Sequence, residues 1–255
     1  MTREEDYKYS KTGVKIIDDF RNNLIIDRYH PEFFNMRAGK LSHMQSENSE
    51  DVVTWNVFHS LRQIKPEIWA PSLYSKAFPG KQKADFEKYI NSTVINLWKT
   101  VPPPPSLVEE GDEGNSEIDI CIESPNWVWF IEAKLTGDIS KRTTIRENRD
   151  QIIRNIDVGS YYAGVRDFYF SLLIKSEKSS KIGVKKIMEY SKKPKIEEIL
   201  AGHRPDKLVN LKGISTIQWQ HIGEILHAAK ITDQIENTFS ERVLNWMESK
   251  KLYVK

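Results

Sequence analysis

Polar and apolar residues follow their clearest pattern in the middle of the chain. Residues 117–123 alternate strictly between polar and apolar side chains, which predicts a β-strand with one buried face. The Ser-Pro-Asn sequence at 124–126 is typical of a turn. The aromatic and β-branched run at 127–131 contains no polar residue and predicts a strand that is covered on both faces. Residues 168–174 predict a further strand.

Residues 50–64 carry the clearest helical period and predict a helix. Four apolar residues share its stripe: Val53, Val57, Leu61 and Ile64. A second helix is predicted from a cap at Thr143 or Thr144 to about Val158. Its apolar stripe consists of Ile145, Ile152 and Ile156. Other patterns predict helices over residues 14–29, 86–98, 185–190, 196–201, 222–229 and 235–249, and a last strand over residues 215–219.

The order of these elements indicates the fold class. Strand, turn, strand, helix and strand follow one another, which requires a mixed β-sheet with helices packed on it, an α/β fold of the α+β type. Four consecutive prolines at 102–105 predict a stiff connector between a mainly helical first part and the sheet. We expect a helical N-terminal extension over residues 1–44. Residues 45–255 are predicted to form one domain, because no flexible linker divides them.

Composition narrows the class of protein. The chain has 255 residues, of which 39% are hydrophobic and 29% are charged, a balance typical of one large or two small globular domains. The longest clean apolar run, at 127–131, is far shorter than the ~20 residues of a membrane-spanning helix, so we expect no membrane partner. Cys121 is the single cysteine, which excludes an internal disulfide. The charged N-terminus lacks the apolar core of a secretory signal. Together these features predict a cytoplasmic, soluble protein.

The charged residues are unevenly distributed, although the formal net charge is only +2. Residues 101–140 contain nine acidic side chains and one basic side chain, that of Lys134. Residues 175–212 are rich in lysine and arginine. An acidic block suits hard cations, and a basic block suits the phosphate backbone of a nucleic acid. The alternative for each block is an ordinary solvated surface.

Charged residues directly follow the most apolar strand. Glu132, Ala133 and Lys134 continue the run at 127–131, and strand alternation places Glu132 and Lys134 on the same side. The preceding turn folds Asp119 back so that it lies opposite or diagonal to Glu132. Two carboxylates and an ammonium group beside a buried strand are costly unless they bind one another or a ligand.

A divalent cation held by Asp119 and Glu132 would relieve the repulsion between the two carboxylates. Hard oxygen ligands favour Mg²⁺ or Mn²⁺ over zinc, and the backbone carbonyl of Ala133 is a third predicted ligand. Lys134 would then orient a water molecule or stabilise charge on a phosphate. The alternative is a sheet edge with an ion pair in which Lys134 simply neutralises Glu132 or Asp119.

Asp119 on a strand, followed by a turn and an apolar strand that ends in Glu132-Ala133-Lys134, resembles the PD-(D/E)XK nuclease superfamily. The resemblance covers about residues 46–174 and implies a restriction-endonuclease-like fold, with residues 175–255 as a basic C-terminal cover. It also implies that Asp119 and Glu132 hold the metal and that Lys134 serves the attacking water. The chain departs from the family pattern because Ile118, not proline, precedes Asp119.

Three further residues are candidates. The resemblance implies a glutamate on the helix before the sheet and a glutamine on the helix after the lysine, which Glu50 and Gln151 match. Glu50 also fits a helix start, where a carboxylate is favoured by the helix dipole. Gln151 also fits an ordinary exposed position. Arg149 either approaches a phosphate or extends to solvent.

The sequence therefore predicts a metal-dependent nuclease that hydrolyses phosphodiester bonds. DNA is favoured over RNA as the substrate, and the enzyme is expected to be an endonuclease. A homodimer would suit the cutting of both strands. The alternative is a catalytically inactive, nuclease-like scaffold that binds nucleic acid or a protein partner.

Overall fold

A five-stranded sheet forms the centre of the molecule, and a two-stranded hairpin lies near the N-terminus. The computed structural model describes residues 7–109, 113–140, 149–204 and 207–255. The strands in these ranges are β1 (Tyr7–Tyr9), β2 (Lys15–Ile17), β3 (Val94–Val101), β4 (Ser116–Glu123), β5 (Trp127–Ala133), β6 (Asp167–Ile174) and β7 (Leu211–Gln218). The α-helices in these ranges are α1 (Ala38–His43), α2 (Glu50–Arg62), α3 (Pro66–Ala77), α4 (Ala84–Glu87), α5 (Pro105–Glu109), α6 (Gln151–Ala163), α7 (Lys181–Tyr190), α8 (Lys193–Leu200), α9 (Trp219–Ala228) and α10 (Gln234–Ser249).

The central sheet is mixed, with the strand order β3-β4-β5-β6-β7. The first three strands pair antiparallel, whereas β5 with β6 and β6 with β7 pair parallel. Helices flank this sheet on both faces. The predicted fold class, a mixed sheet flanked by helices, is therefore confirmed.

Strand β5 is the centre of the core, because all seven of its residues are buried. Trp129 packs on one face in an apolar cluster with residues of α2, α3, α9 and α10. Phe130 packs on the other face in a cluster with residues of α6, α7 and α8. The prediction of a strand covered on both faces is confirmed. Within the described ranges, no helix combines the length and apolar character that crossing a bilayer requires.

Helix α6 begins later than predicted. Residues 149 and 150 are not helical, and Asp150 caps the helix by accepting hydrogen bonds from the N–H groups of Ile152 and Ile153, both at 3.0 Å. Thr143, Thr144 and Ile145 lie outside the described residues. The helix ends at Ala163 rather than at Val158, so its predicted end is wrong by about one turn.

The predicted helix over residues 14–29 is wrong. This segment contains β2 and a 3₁₀ turn, Phe20–Asn23. The side-chain amide of Asn23 donates to the carbonyl groups of Met44 and Ser46, and these tertiary hydrogen bonds outweigh a weak local period. Of residues 7–44, only Ala38–His43 forms an α-helix. The N-terminal extension is thus less helical than predicted.

The predicted helix over residues 86–98 is also wrong. Helix α4 ends at Glu87, a 3₁₀ turn covers Ile90–Ser92, and the edge strand β3 starts at Val94. The prolines at 102–105 follow this strand, so they connect two strands of one sheet and do not separate a helical part from the sheet. The other predicted helices and strands are present, with ends shifted by a few residues.

Candidate active site

The candidate site lies at the carboxyl end of β5, where Glu132 and Lys134 face the same side. Lys134 Nζ donates to Glu132 Oε1 over 2.7 Å. Ile120 pairs with Ile131. The same antiparallel register, extended by one residue, places Asp119 opposite Glu132, which is one of the two predicted arrangements. The backbone N–H of Ala133 donates to Asp119 Oδ2 over 2.9 Å. The hairpin therefore brings together all three side chains of the predicted motif.

Glu50 reaches this cluster from the first turn of α2. Ser49 caps that helix by accepting a hydrogen bond from Val52 N–H. Glu50 Oε2 accepts from the backbone N–H of Leu135 at 2.7 Å, and Glu50 Oε1 lies 3.4 Å from Lys134 Nζ. Glu50 therefore lies both at the helix start, where the dipole favours a carboxylate, and beside Lys134.

Helix α6 supplies two amides to Glu132. Gln151 Nε2 donates to Oε1 over 2.5 Å, and Asn155 Nδ2 donates to Oε2 over 2.8 Å. Gln151 thus belongs to the cluster and is not an ordinary exposed residue. Sequence reasoning missed Asn155, although its position four residues after Gln151 places both side chains on one helix face.

The acidic side chains outnumber the ammonium group at this site. Glu132 is only 2% exposed, and burial, together with the charge of Asp119, raises its pKa to about 8. Burial also raises the pKa of Asp119 and that of Glu50, and the charge of Lys134 only partly offsets this. Burial lowers the pKa of Lys134, but the three carboxylates outweigh burial and raise it above its usual value. Lys134 alone therefore does not offset the burial of the three carboxylates.

Lys40 forms a second basic contact at the rim of the site, which sequence reasoning also missed. Its Nζ lies 3.4 Å from Asp51 Oδ1 and 2.5 Å from Glu117 Oε1, and 4.4 Å from the centroid of the Trp98 ring. Trp98 has a φ of +50°, a left-handed conformation that is rare for a bulky residue and is often found near functional sites. In the β3–β4 ladder it lies between two paired residues, opposite Asp119.

The donor atoms fit a hard divalent cation. Among the described residues, no hydrogen-bond donor reaches Asp119 Oδ1, while Glu132 accepts three hydrogen bonds and keeps one of its roughly four acceptor positions. No set of three or more His, Cys, Asp or Glu side chains in the described residues is arranged to hold a metal ion. Magnesium commonly uses one or two carboxylates and retains several waters, so two carboxylates suffice.

Arg149 is not at the site. It is 3% exposed, and its Nε and Nη1 atoms lie 2.9 Å from carboxylate oxygens of Glu113 and Asp157, respectively. Asp157 also contacts Arg204 Nη1 at 2.9 Å and His203 Nε2 at 2.7 Å. Of the two alternatives for Arg149, extension to solvent is wrong, because its Nε and Nη1 atoms contact buried carboxylates. Arg204, counted in the basic block at 175–212, is likewise buried in this network.

The arrangement provides carboxylate oxygens for a cation, an ammonium group beside them and two amides that fix Glu132. Such a set can bind a divalent ion and stabilise negative charge on a phosphate or an attacking water. The carbonyl of Ala133 as a ligand stays a prediction. Comparisons with models of protein families, with curated proteins and with solved structures found no match to this chain.

Proposed function

We propose that this protein is a metal-dependent nuclease that hydrolyses phosphodiester bonds, with DNA as its substrate and endonucleolytic cutting as its activity. One observation carries the proposal: side chains from α2, β4, β5 and α6 meet at the carboxyl end of β5. They are Glu50, Asp119, Glu132, Lys134 and Gln151. The sequence alone predicts these five residues as site residues, and their convergence supports the nuclease resemblance.

Asp119, Glu132, Lys134 and Gln151 each have a role in the proposed reaction. Asp119 and Glu132, with the carbonyl of Ala133, would hold Mg²⁺ or Mn²⁺. A bound cation of this kind lowers the pKa of its water and polarises a phosphoryl oxygen. Lys134 orients the attacking water and stabilises the charge that develops on the phosphate. Gln151 keeps the carboxylate of Glu132 in one orientation.

The same contacts also support a second candidate, a nuclease-like scaffold that binds nucleic acid or a protein without cutting. Lys134 already forms an ion pair with Glu132 at 2.7 Å, and both oxygens of Glu132 accept hydrogen bonds. A site that serves only stability would look similar. A cytoplasmic location and a homodimer remain parts of the proposal.

A cleavage assay tests the proposal. Purified protein is incubated with circular DNA, linear DNA and RNA in Mg²⁺, in Mn²⁺ or in chelator. We expect cutting that requires the metal and falls by about 10²–10³-fold in Lys134→Ala and in Asp119→Asn, as for other losses of groups that stabilise developing charge. Cutting of circular DNA identifies an endonuclease.

Lys99→Ala is the matched control, because Lys99 Nζ also lies close to a glutamate oxygen, 2.6 Å from Glu123 Oε1, and this ion pair includes no residue of the proposed site. We expect this variant to cut at the wild-type rate. Nucleic-acid binding without cutting, unchanged in the Lys134 and Asp119 variants, would instead identify the scaffold. Cutting that persists in chelator would contradict the proposed metal dependence.

A further inference from the structure

A cleft of about 890 Å³ involves α7 and α8, on the face of the sheet that α6 also covers. Its wall includes Asp150, Lys181, Lys185, Lys186 and Tyr190. Asp150 directly precedes Gln151, the residue that donates to Glu132. A residue of the cleft wall is therefore the immediate chain neighbour of a residue in the proposed catalytic cluster.

The carboxylates of this cleft already have basic partners. Lys186 Nζ lies 3.5 Å from Asp150 Oδ2 and 3.3 Å from Glu189 Oε2. Lys195 Nζ lies 3.2 Å from Glu198 Oε2. Asp150 Oδ2 also accepts a hydrogen bond from the Tyr190 hydroxyl at 2.6 Å. No acidic side chain of the wall is left to attract a cation or to repel a phosphate strongly.

Lys181 and Lys185 differ from these paired lysines. They are four residues apart on α7, so they share one face of the helix. Both are exposed, and no carboxylate of the described residues is an ion-pair partner of either. Two unpaired ammonium groups beside a cleft attract consecutive phosphates of a nucleic-acid strand.

The first N–H groups of α7 donate to a carboxylate from another segment, that of Asp138. Asp138 accepts hydrogen bonds from Ile182 N–H at 2.8 Å and Gly183 N–H at 2.9 Å. Asp138 lies four residues after Lys134 and directly before Ile139, a residue of the cleft wall. The segment that leaves the catalytic motif thus fixes α7 beside it.

We propose that the cleft binds the phosphodiester backbone of the substrate strand next to the scissile bond, through Lys181 and Lys185. This inference rests on the proposed nuclease function and names the path of its substrate. It also assigns different roles to the basic residues of the block at 175–212. Lys181 and Lys185 bind phosphate, Lys186 and Lys195 stabilise the wall, and Arg204 belongs to the buried network around Asp157.

The test measures binding in chelator, where the substrate stays intact. Fluorescence anisotropy of a labelled DNA duplex is followed from low to high salt for the full chain and for Lys181→Ala/Lys185→Ala. The double variant should bind about tenfold more weakly at low salt, and the slope of log K against log salt should fall by about 1.8, the value for two phosphate contacts. Circular dichroism checks that each variant is folded.

Lys11→Ala/Lys230→Ala is the matched control, because it removes the same charge from exposed residues outside the cleft. It should bind with the wild-type slope. If the cleft variant binds like the control, the inference is overturned. Cleavage by the wild type in Mg²⁺ separates the two proposals. If binding depends on the two lysines but the wild type does not cut, the nuclease proposal is overturned and backbone binding by the cleft stands.

If the wild type cuts and the cleft variant binds as tightly as the wild type, only the cleft proposal is overturned. If there is neither cutting nor lysine-dependent binding, both proposals are overturned.

Discussion

Asn155 donates its side-chain amide to Glu132 Oε2 over 2.8 Å, and both residues are buried. Gln151, one turn earlier on α6, donates to the other carboxylate oxygen. The orientation of this carboxylate is therefore set by a helix as well as by its own strand. Replacing a residue that holds a metal ligand in place typically lowers metal affinity by about 10–100-fold.

Asn155→Ala should weaken the proposed metal site. The variant leaves one oxygen of Glu132 buried without its donor, so we expect the Mg²⁺ concentration for half-maximal cleavage to rise by about 10–100-fold. Cleavage rate against Mg²⁺ concentration measures this. Asn237→Ala is the matched control, since the amide of Asn237 likewise donates to a glutamate, Glu241, four residues on. Equal Mg²⁺ dependence in the two variants would contradict the role given to Asn155.

Glu132→Gln should make stability less dependent on pH. Burial and Asp119 raise the pKa of Glu132 from 4.5 to about 8. A raised pKa means that the folded state holds the proton more tightly than the unfolded state does. The stability that this one group contributes is therefore fully present below about pH 4.5 and is lost as the pH rises through about 8. In chelator, the variant should gain stability relative to the wild type between pH 5 and pH 9, as measured by thermal unfolding.

Added Mg²⁺ should narrow that difference. Metal that binds only the folded wild type at ten times its Kd adds about 1.4 kcal/mol, which raises the Tm by about 3–5 °C for a chain of this size. Glu123→Gln is the control, because the pKa of this carboxyl is shifted in the opposite direction. Lys99, Tyr162 and Arg166 hold the pKa of Glu123 below its usual value despite burial. That variant should be destabilised at neutral pH and should retain the response to Mg²⁺. A Glu132 variant stabilised by Mg²⁺ like the wild type would contradict the metal assignment.

Gly159→Ala should move α6 away from the sheet. A Cβ atom at Gly159 would lie 2.2 Å from Cζ of Phe168 and 2.8 Å from Cδ2 of Phe130, so one methyl group overpacks the core. We expect a loss of about 1–3 kcal/mol in the free energy of unfolding, and weaker Mg²⁺ binding, because Asn155 and Gln151 move with the helix. Urea unfolding and the Mg²⁺ thermal shift measure the two effects.

Gly39→Ala is the control for that substitution. Gly39 also lies in a helix, α1, and among the described residues nothing beyond its chain neighbours and its own helix backbone lies within 4 Å of a Cβ atom built there. Its replacement should leave stability unchanged or raise it slightly, because alanine favours a helix by about 1 kcal/mol over glycine. If Gly159→Ala were as harmless as Gly39→Ala, the close approach of α6 to the sheet would be wrong.

The hairpin and its three charged residues could be predicted because a strand has a period of two and a short turn limits the register. Those two rules sufficed to place Asp119 near Glu132. Asn155 could not be found in this way, since an amide on a buried helix face has no distinctive local pattern. Lys40 was missed because it and its partner Glu117 are 77 positions apart in the sequence. Rules based on local sequence patterns do not predict contacts between residues so far apart in the chain.

The N-terminal errors have a different physical cause. The backbone N–H of Ile25 donates to Asn56 Oδ1, and Asn56 Nδ2 donates to the carbonyl of Asn23. Side chains of α2 and of the N-terminal segment therefore satisfy backbone groups that a helix would have satisfied internally. Strand β3 was missed because it lies at the edge of the sheet, where exposed and buried residues do not alternate regularly.

Asp157→Asn should destabilise the protein strongly at neutral pH. Burial alone would raise the pKa of Asp157, but the hydrogen bond from His203 and the charges of Arg149 and Arg204 outweigh burial and lower it. Removing the charge leaves these basic side chains with less compensation, so we expect a loss of about 3 kcal/mol. Urea unfolding at pH 7 measures this. Asp19→Asn, at an exposed ion pair with Arg21, should change stability little.

The pH dependence identifies the source of that loss. A carboxylate with a lowered pKa contributes stability above its unfolded pKa, near 3.8, and the contribution disappears as the pH falls through the lower folded value. The gap between wild type and Asp157→Asn should therefore narrow steadily below about pH 4. A gap at pH 3 as wide as that at pH 7 would mean that altered packing, rather than the charge of Asp157, stabilises this part of the fold.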